Sequence, residues 1–516
     1  MLLLDWIILC SYLCGMLLLA AYVGRKQANS TDYFLAGRGM SSGSLAASTM
    51  ATQCSTNSLL GAPAFVGFTL GGGLLWLQYE LAVPLAMAAL IWLIVPARQA
   101  KVTSIYEILE QRLGVASRRL ASAAFLLFRG VATGVTIYGV ALILSAILGL
   151  SFAWSVVLLM AITIFYDVLG GLRAVVLSDL IQLALLVTAV WVSLFLLADA
   201  TSWSAFFADR TDTLVNDWGF SGSDYGFWPM LIGGFFLYMA YYGCDQSQAQ
   251  RVLAADSDAG SQRVLMLNGL LRFPLVLSYC LLGMGLAAFA SAHPEFIDSL
   301  PQNTAGQPNY NMVFPTYVMD YFAPGFVGLV MVGLIAAAMS SVDSAINSLS
   351  AATMEDFVKP LKKLSEQQTL TCSRITTLLW GLFCIGFSFQ VEQIAPTVLE
   401  AINKIGSMAN GPLLAMFVVA LLLKGIGQKA ALSGFVVGLV ANVLVALFVP
   451  QVSWLWWNVV GLVASLLTTL MIQILQGLKV SRAVYIYPPR GVTVMSLVFM
   501  ALCILIFCIF LDQLNG

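Results

Sequence analysis

The sequence predicts an all-α integral membrane protein with about fourteen transmembrane helices. Of 516 residues, 60% are apolar and 9% are charged, and the mean hydropathy is +0.90. Soluble domains average about 45–50% apolar and about 25% charged residues, so this chain has too few charges to wet a folded surface. Apolar runs of about 20 residues, enough to cross the hydrocarbon of a bilayer, also recur along its whole length. A single-anchor enzyme or receptor with a large soluble domain is excluded.

In chain order the runs lie near 3–23, 44–70, 74–97, 119–148, 152–169, 173–198, 229–250, 264–290, 325–352, 371–391, 396–423, 430–449, 452–477 and 491–512. The first has no basic residue before it and no convincing cleavage site, so it reads as a retained span and not a signal peptide. Twenty of the 24 Lys and Arg fall in loops after odd-numbered spans, Arg251 among them. Only Arg210 falls in a loop after an even-numbered span, and Arg129, Arg272 and Lys404 lie within spans. Positive residues stay inside, so both termini are expected on the outer side of a plasma membrane, the cell inner membrane in a bacterium. The outer loops 199–228 and 291–324 are acidic, as that orientation requires. In the inner loop, residues 103–110 are expected to open a short amphipathic helix capped by Thr103 or Ser104.

The net charge of −1 gives no reason to invoke nucleic acid. Nine cysteines without a CxxC read as small core residues, and one histidine, His293, excludes a histidine metal cluster. Nothing resembles a nucleophile elbow or phosphate loop, so an enzyme is disfavoured.

Polar groups at bilayer depth are the informative ones, because they usually face a cavity or a partner. Span 2 contains Ala51-Thr52-Gln53-Cys54-Ser55-Thr56-Asn57-Ser58, followed by Gly61, Pro63 and Gly67. Either the helix is interrupted there, with freed carbonyls able to bind a cation in a buried cavity, or its small residues merely permit close packing. Span 7 offers a matching interruption in Gly233-Gly234 and in the run Tyr241 to Gln246. Spans 2 and 7 stand five apart, and an odd offset reverses orientation, which positions spans 2–6 and 7–11 as an inverted repeat with a midplane site. Span 9 places Ala337, Ser340, Ser341, Ser344, Asn347 and Ser348 on one stripe with Asp343 at its flank. Such oxygens suit a hard cation, though serine stripes also pack helices without binding anything. Asp179 adds a carboxylate in span 6, and Arg129, Arg272, Lys404 and Glu80 are either structural pairs or contacts for a charged solute.

At these residues the chain resembles the sodium/solute symporter family, which includes sodium-coupled sugar, iodide, proline, monocarboxylate and sialic acid transporters. The resemblance is carried by Asp32-Tyr33-Phe34-Leu35-Ala36-Gly37-Arg38, by the run GGLRAVVLSDLIQ from Gly170 to Gln182, and by span 9 with Met354-Glu355-Asp356-Phe357-Val358 after it. It implies a LeuT-type 5+5 inverted repeat with one preceding and three following helices. The divisions are then 1–43 for the first helix and linker, 44–198 and 199–424 for the two repeats, and 425–516 for the last three helices. It further implies a sodium site from the carbonyls of Ala51, Cys54 and Ala337 and the hydroxyls of Ser340 and Ser341. A second sodium in some members uses positions matching Asp179, Ser340 and Ser344, with Asp343 here in place of a serine. The implied substrate set is Gln53, Ser55, Ser58, Gln78, Glu80, Arg129, Tyr241, Arg272 and Asn403. The arginine that holds the carboxylate in sialic acid transporters falls at Ala132, and Arg129, three residues earlier, is on a nearby face.

The expected function is sodium-coupled secondary active symport of a small polar organic solute by alternating access, carried out by a monomer in the lipid bilayer. Each positive charge entering gains about 2.3 kcal/mol per 100 mV. An organic anion, a sugar acid of the sialic acid kind or a monocarboxylate, is the expected substrate because buried cations outnumber Glu80. A neutral sugar is the alternative. A channel lacks a filter motif, and a sensor of this fold would need an output domain after the last span, where the chain ends at Gly516.

Overall fold

A chain that crosses hydrocarbon must satisfy its own backbone polar groups, which leaves helices as the means available to these apolar runs. The computed structural model is built of them. It describes every residue except 26, 28, 55, 70–71, 208–217, 220–224, 303–305, 392–397, 478–479, 483–490 and 514–516, and gives the backbone alone for 56–57, 94–96, 398–403, 482 and 513. The main helices are α1 (Leu3–Gly24), α2 (Ser42–Gln53), α3 (Thr56–Phe68), α4 (Ala82–Gln99), α5 (Val115–Leu148), α6 (Phe152–Thr201), α7 (Gly234–Cys244) and α8 (Gln246–Leu253). They continue with α9 (Asp258–Ala292), α10 (Phe326–Thr353), α11 (Glu366–Ser388), α12 (Val398–Leu422), α13 (Gln428–Phe448), α14 (Trp454–Leu475) and α15 (Gly491–Gln513). Two-residue strands β1 (Leu423–Lys424) and β2 (Ser481–Arg482) pair antiparallel.

Among the described residues, eleven helices are long and apolar enough to cross a membrane. The difference from the fourteen runs has a physical source. The runs at 44–70 and 229–250 are interrupted, and those at 152–169 and 173–198 are joined in α6. As a straight rod, the 50 residues of α6 would measure about 75 Å, far beyond a ~30 Å hydrocarbon core. The helix is broken by a kink at Gly171, whose φ of 52° and ψ of −164° are not helical. A Cβ at Gly171 would stand 2.6 Å from the Tyr33 carbonyl oxygen, so both the dihedrals and the close approach require glycine.

α10 lies at the centre. Its most apolar window is 89% buried, against 28% for α1 and α15, and a helix buried all round belongs to a core. It packs against α6, α5, α1, α2 and α8, while α9 covers α2, α3 and α4. α12, α13 and α14 pack on one another as a C-terminal group. The N-terminal end of α10 is fixed by a group the sequence reading passed over. Asp5 of α1 is buried, and its Oδ1 accepts from the amides of Gly325 (2.7 Å) and Gly328 (2.8 Å). A carboxylate answering free amides at a helix N-terminus is stabilising.

Gly171→Ala is expected to cost about 1–3 kcal/mol through the strained backbone alone. Thermal unfolding of the detergent-purified protein should show a lowered midpoint, and an unchanged midpoint would contradict the role given to this turn.

Candidate functional site

Both expected interruptions are present. α2 ends at Gln53, Cys54 has a ψ of 68°, and α3 starts at Thr56, so no continuous ladder runs through the polar stretch. α7 ends at Cys244, and Asp245 is extended at φ −81° and ψ 122° before α8 begins. Asp245 Oδ1 accepts from the Ser247 amide (2.7 Å) and hydroxyl (2.6 Å), capping α8.

Freed backbone groups in a membrane core need partners, and the loop before residue 107 supplies one for Cys244 and is itself tied down by Gln246. Tyr106 donates its hydroxyl to the Cys244 carbonyl (2.9 Å), and Gln246 accepts from the Ile105 amide while donating to the Thr103 carbonyl, each at 2.9 Å. Burial pushes the Tyr106 hydroxyl well above its ordinary pKa, so it remains a donor. The helix expected from 103 begins instead at Glu107. Its cap also runs the other way, because Glu107 Oε1 accepts from the Thr103 and Ser104 amides (3.0 and 2.8 Å).

At the first break, α10 meets α2 through its serines. Ser340 Oγ donates toward the carbonyls of Ala51 and Ala337, both at 3.1 Å. Ser341 Oγ donates toward Thr52 O (2.9 Å) and Ala337 O (3.3 Å). Four of the five expected ligand residues are thus in mutual contact, and Cys54, the fifth, is the buried residue at the break itself. The Thr52 carbonyl was not foreseen. Hydroxyls rotate and keep acceptor lone pairs, so this donor set of neutral oxygens fits a hard monovalent cation.

The second expected set is arranged differently. Asp179 Oδ2 accepts from Ser48 Oγ (2.5 Å) and pairs with Arg251 Nη2 (3.2 Å). Arg251 is fully buried, which corrects its expected place in an inner loop. Its Nε donates to Ser48 Oγ (2.7 Å), and its terminal nitrogens donate to the Ser247 carbonyl and to Ser344 Oγ. A resident guanidinium therefore bridges Asp179 and Ser344. Asp343 accepts from the Tyr166 hydroxyl and from the amide and hydroxyl of Ser344. Asp167, also buried, accepts from Asn347 Nδ2 at 3.0 Å. Asp167 and the polar residues 247–251 are legible signals, since acids and glutamines inside apolar spans call for partners, but the sequence alone assigns them no role.

Around the two breaks, Arg272 forks onto both oxygens of Glu80 (2.7 and 3.0 Å) and donates to Tyr238 OH (2.7 Å), with its Cζ 4.8 Å from that ring. Tyr242 donates to Gln53 Oε1, and Gln248 donates to Tyr241 OH (2.9 Å). Arg129 lies 5.8 Å over the Tyr241 ring, with Nη1 3.7 Å from Asp245 Oδ2. Gln78 instead donates to the Tyr225 carbonyl (2.9 Å) and contacts Met230 sulfur. Ser58 lies in α3, partly exposed. Ser55 and the Asn403 side chain lie outside the described residues. Glu80 and Asp245 answer Arg272 and Arg129, so these two arginines do not supply the expected surplus of buried positive charge.

A family model for sodium:solute symporters matches residues 33–438. The chain belongs to the sodium:solute symporter family. It is similar to a Drosophila melanogaster protein described as a sodium-dependent multivitamin transporter, at 31% identity over 81% of this chain and 70% of that one. It is also similar to sodium-coupled monocarboxylate transporter 1 of Mus musculus, at 30% identity over 84% of this chain and 72% of the other. A solved substrate-bound, outward-open structure of a sodium-coupled sialic acid symporter superposes with a TM-score of 0.81 at 24% identity, covering 92% of this chain and 98% of that one. At that identity the likeness is one of fold. The protein is an integral, multi-pass membrane transporter of a sodium-dependent family.

Removing one member of a buried ion pair costs about 3–5 kcal/mol, whereas replacing both with apolar groups is often close to neutral. Arg251→Met alone is expected to lower the unfolding midpoint strongly, and Asp179→Leu combined with Arg251→Met is expected to recover most of the loss. Additive effects in that double-mutant cycle would contradict the pairing.

Proposed function

We propose that this symporter imports a small organic anion together with sodium, and that sodium binds where α10 meets the break after α2. One observation carries the sodium part: Ser340 and Ser341 aim their hydroxyls at the carbonyls of Ala51, Thr52 and Ala337. The ion would draw these oxygens and the Cys54 carbonyl around itself, tying α2 to α10. The anion part is supported by Arg129, whose only carboxylate partner among the described residues is a distant 3.7 Å away. The monocarboxylate and sialic acid relatives agree with that chemistry. Asp343 and Asp179 are proposed to shape the field behind the sodium, with Arg251 holding the place of a second cation.

The architecture we propose has fourteen spans in two inverted five-helix repeats, 44–198 and 199–424, flanked by 1–43 and 425–516, with both termini outside the plasma membrane. The joined runs of α6 and the paired interruptions support that count. A neutral sugar is the second reading. It is favoured by the closed Glu80–Arg272 pair, which leaves no net charge there, and by the tyrosine rings beside it, Tyr79 and Tyr238, whose centroids are 5.0 Å apart.

Proteoliposomes with an inward sodium gradient should accumulate labelled monocarboxylates or sugar acids and not glucose; the reverse preference selects the sugar reading. In the same assay Ser341→Ala should raise the half-saturating sodium concentration about tenfold, the equivalent of ~1.4 kcal/mol for one lost ligand. An unaltered sodium response would remove Ser341 from the site.

A further inference from the structure

We propose that Asp245 occupies Arg129 in place of the substrate's carboxylate, and that a carboxylate-bearing solute displaces it on binding; this rests on the organic-anion reading above. The geometry of Arg129 sets it apart from the other buried arginines. Arg272 forks onto Glu80, and Arg251 donates directly to Ser48, Ser247 and Ser344. Arg129 Nη1 stands 3.7 Å from Asp245 Oδ2, beyond hydrogen-bonding range, and its Nε is buried with no hydrogen-bond partner. A guanidinium is built to take a carboxylate on two parallel N–H groups, and Asp245 does not complete that fork.

Asp245 is divided between two tasks on separate oxygens. Oδ1 caps α8 through the amide and hydroxyl of Ser247, while Oδ2 faces Arg129. Only the first is needed for the helix, so the second can be surrendered without unwinding α8. The pair is also reachable. Its side chains keep 18% and 16% of their exposure, whereas Arg251 and Asp179 keep none. An incoming carboxylate would meet a guanidinium that is already oriented over Tyr241 and whose Nε has no hydrogen-bond partner.

The location gives the exchange a consequence. Tyr241 stacks edge-on against Tyr242, which donates to Gln53, the last residue of α2. A carboxylate seated on Arg129 therefore lies beside the α7–α8 break and is linked through Tyr241, Tyr242 and Gln53 to the end of α2, next to the carbonyls of Ala51 and Thr52. A neutral solute would leave the Arg129–Asp245 pair as it is, so the exchange selects for anions.

Asp245→Asn separates the two tasks, because asparagine caps a helix as well as aspartate does and carries no charge. The full-length purified protein, in sodium, is titrated with sodium acetate against sodium chloride at equal ionic strength, with thermal unfolding as readout. Acetate is expected to stabilise Asp245→Asn at about fivefold lower concentration than wild type, the worth of a partly exposed ion pair. Arg129→Gln combined with Asp245→Asn should abolish the effect. In uptake, Asp245→Asn should lower KM for the transported carboxylate and Arg129→Gln should raise it, opposite signs that a merely structural pair would not give. No acetate effect in Asp245→Asn, or one that survives Arg129→Gln, overturns the inference. Carboxylate uptake with KM indifferent to Asp245→Asn sinks this inference alone. Sodium-driven uptake of sugar and not of carboxylates sinks the anion reading, whatever acetate does.

Discussion

The structure depends on one constraint: a helix broken inside a membrane leaves amides and carbonyls that water cannot reach, and something in the protein must answer them. At the first break the answer comes from Ser340 and Ser341 on α10, and at the second from Tyr106, while Gln246 at that break answers the backbone of Thr103 and Ile105 in turn. The two answers differ in kind. Tyr106 is committed to one backbone carbonyl and Gln246 to one amide and one carbonyl of the loop, whereas the serine hydroxyls can turn and offer lone pairs. A break answered by rotatable hydroxyls is one an ion could take over, so the proposed chemistry at α2 and the structure at α8 follow from the same rule.

α10 can play that part because both of its ends are held. Asp5 binds the amides of Gly325 and Gly328 at its N-terminal end. Beyond its C-terminal end, Asp356 accepts from Arg118 Nε (2.7 Å), Ser104 Oγ (2.8 Å) and Ser122 Oγ (2.6 Å), joining the helix to α5 and to the loop before Glu107. Two of the deeply buried acids are paired by arginines, Asp179 with Arg251 and Glu80 with Arg272, each with further hydrogen bonds to its guanidinium, while Asp167 and Asp343 accept from neutral groups. Breaking such pairs is costly, so they fix positions. The looser Arg129–Asp245 contact is the one positioned for exchange.

Membrane character, the two breaks and the serine stripe were legible in the sequence, because each is a local departure from an apolar run. Ala51, Cys54, Ala337, Ser340 and Ser341 could be named together only through the family resemblance, because the interruption and the stripe by themselves fit close helix packing as well as a cation. What could not be read were pairings across long separations. Arg251 looks like a loop residue when only hydropathy is counted, and nothing in its neighbourhood points to Asp179, 72 residues away. Asp5 sits unremarked in the first span because its partners, Gly325 and Gly328, come more than 300 residues later. The charge balance misled for the same reason. Counting Arg129 and Arg272 as a surplus ignores that Glu80 and Asp245 reach them through the fold.

Coupling follows from where these groups stand. Sodium at Ala51, Thr52 and Ala337 would fix the end of α2 against α10, and the end of α2 is Gln53, which Tyr242 contacts. A solute on the far side of Tyr241 and Tyr242 meets a wall whose position depends on whether that end is fixed. If sodium favours the arrangement that completes the solute site, the solute must favour sodium by the same factor, since the two affinities share one linkage free energy. The rigidity of α10 matters here. Were its ends free, the ion could draw the serines toward α2 and leave the break unmoved; with α10 held by Asp5 and Asp356, it is α2 that the proposed ion would move. On the proposed sites, the energy of ion binding would thereby act on the half of the molecule that contacts the solute.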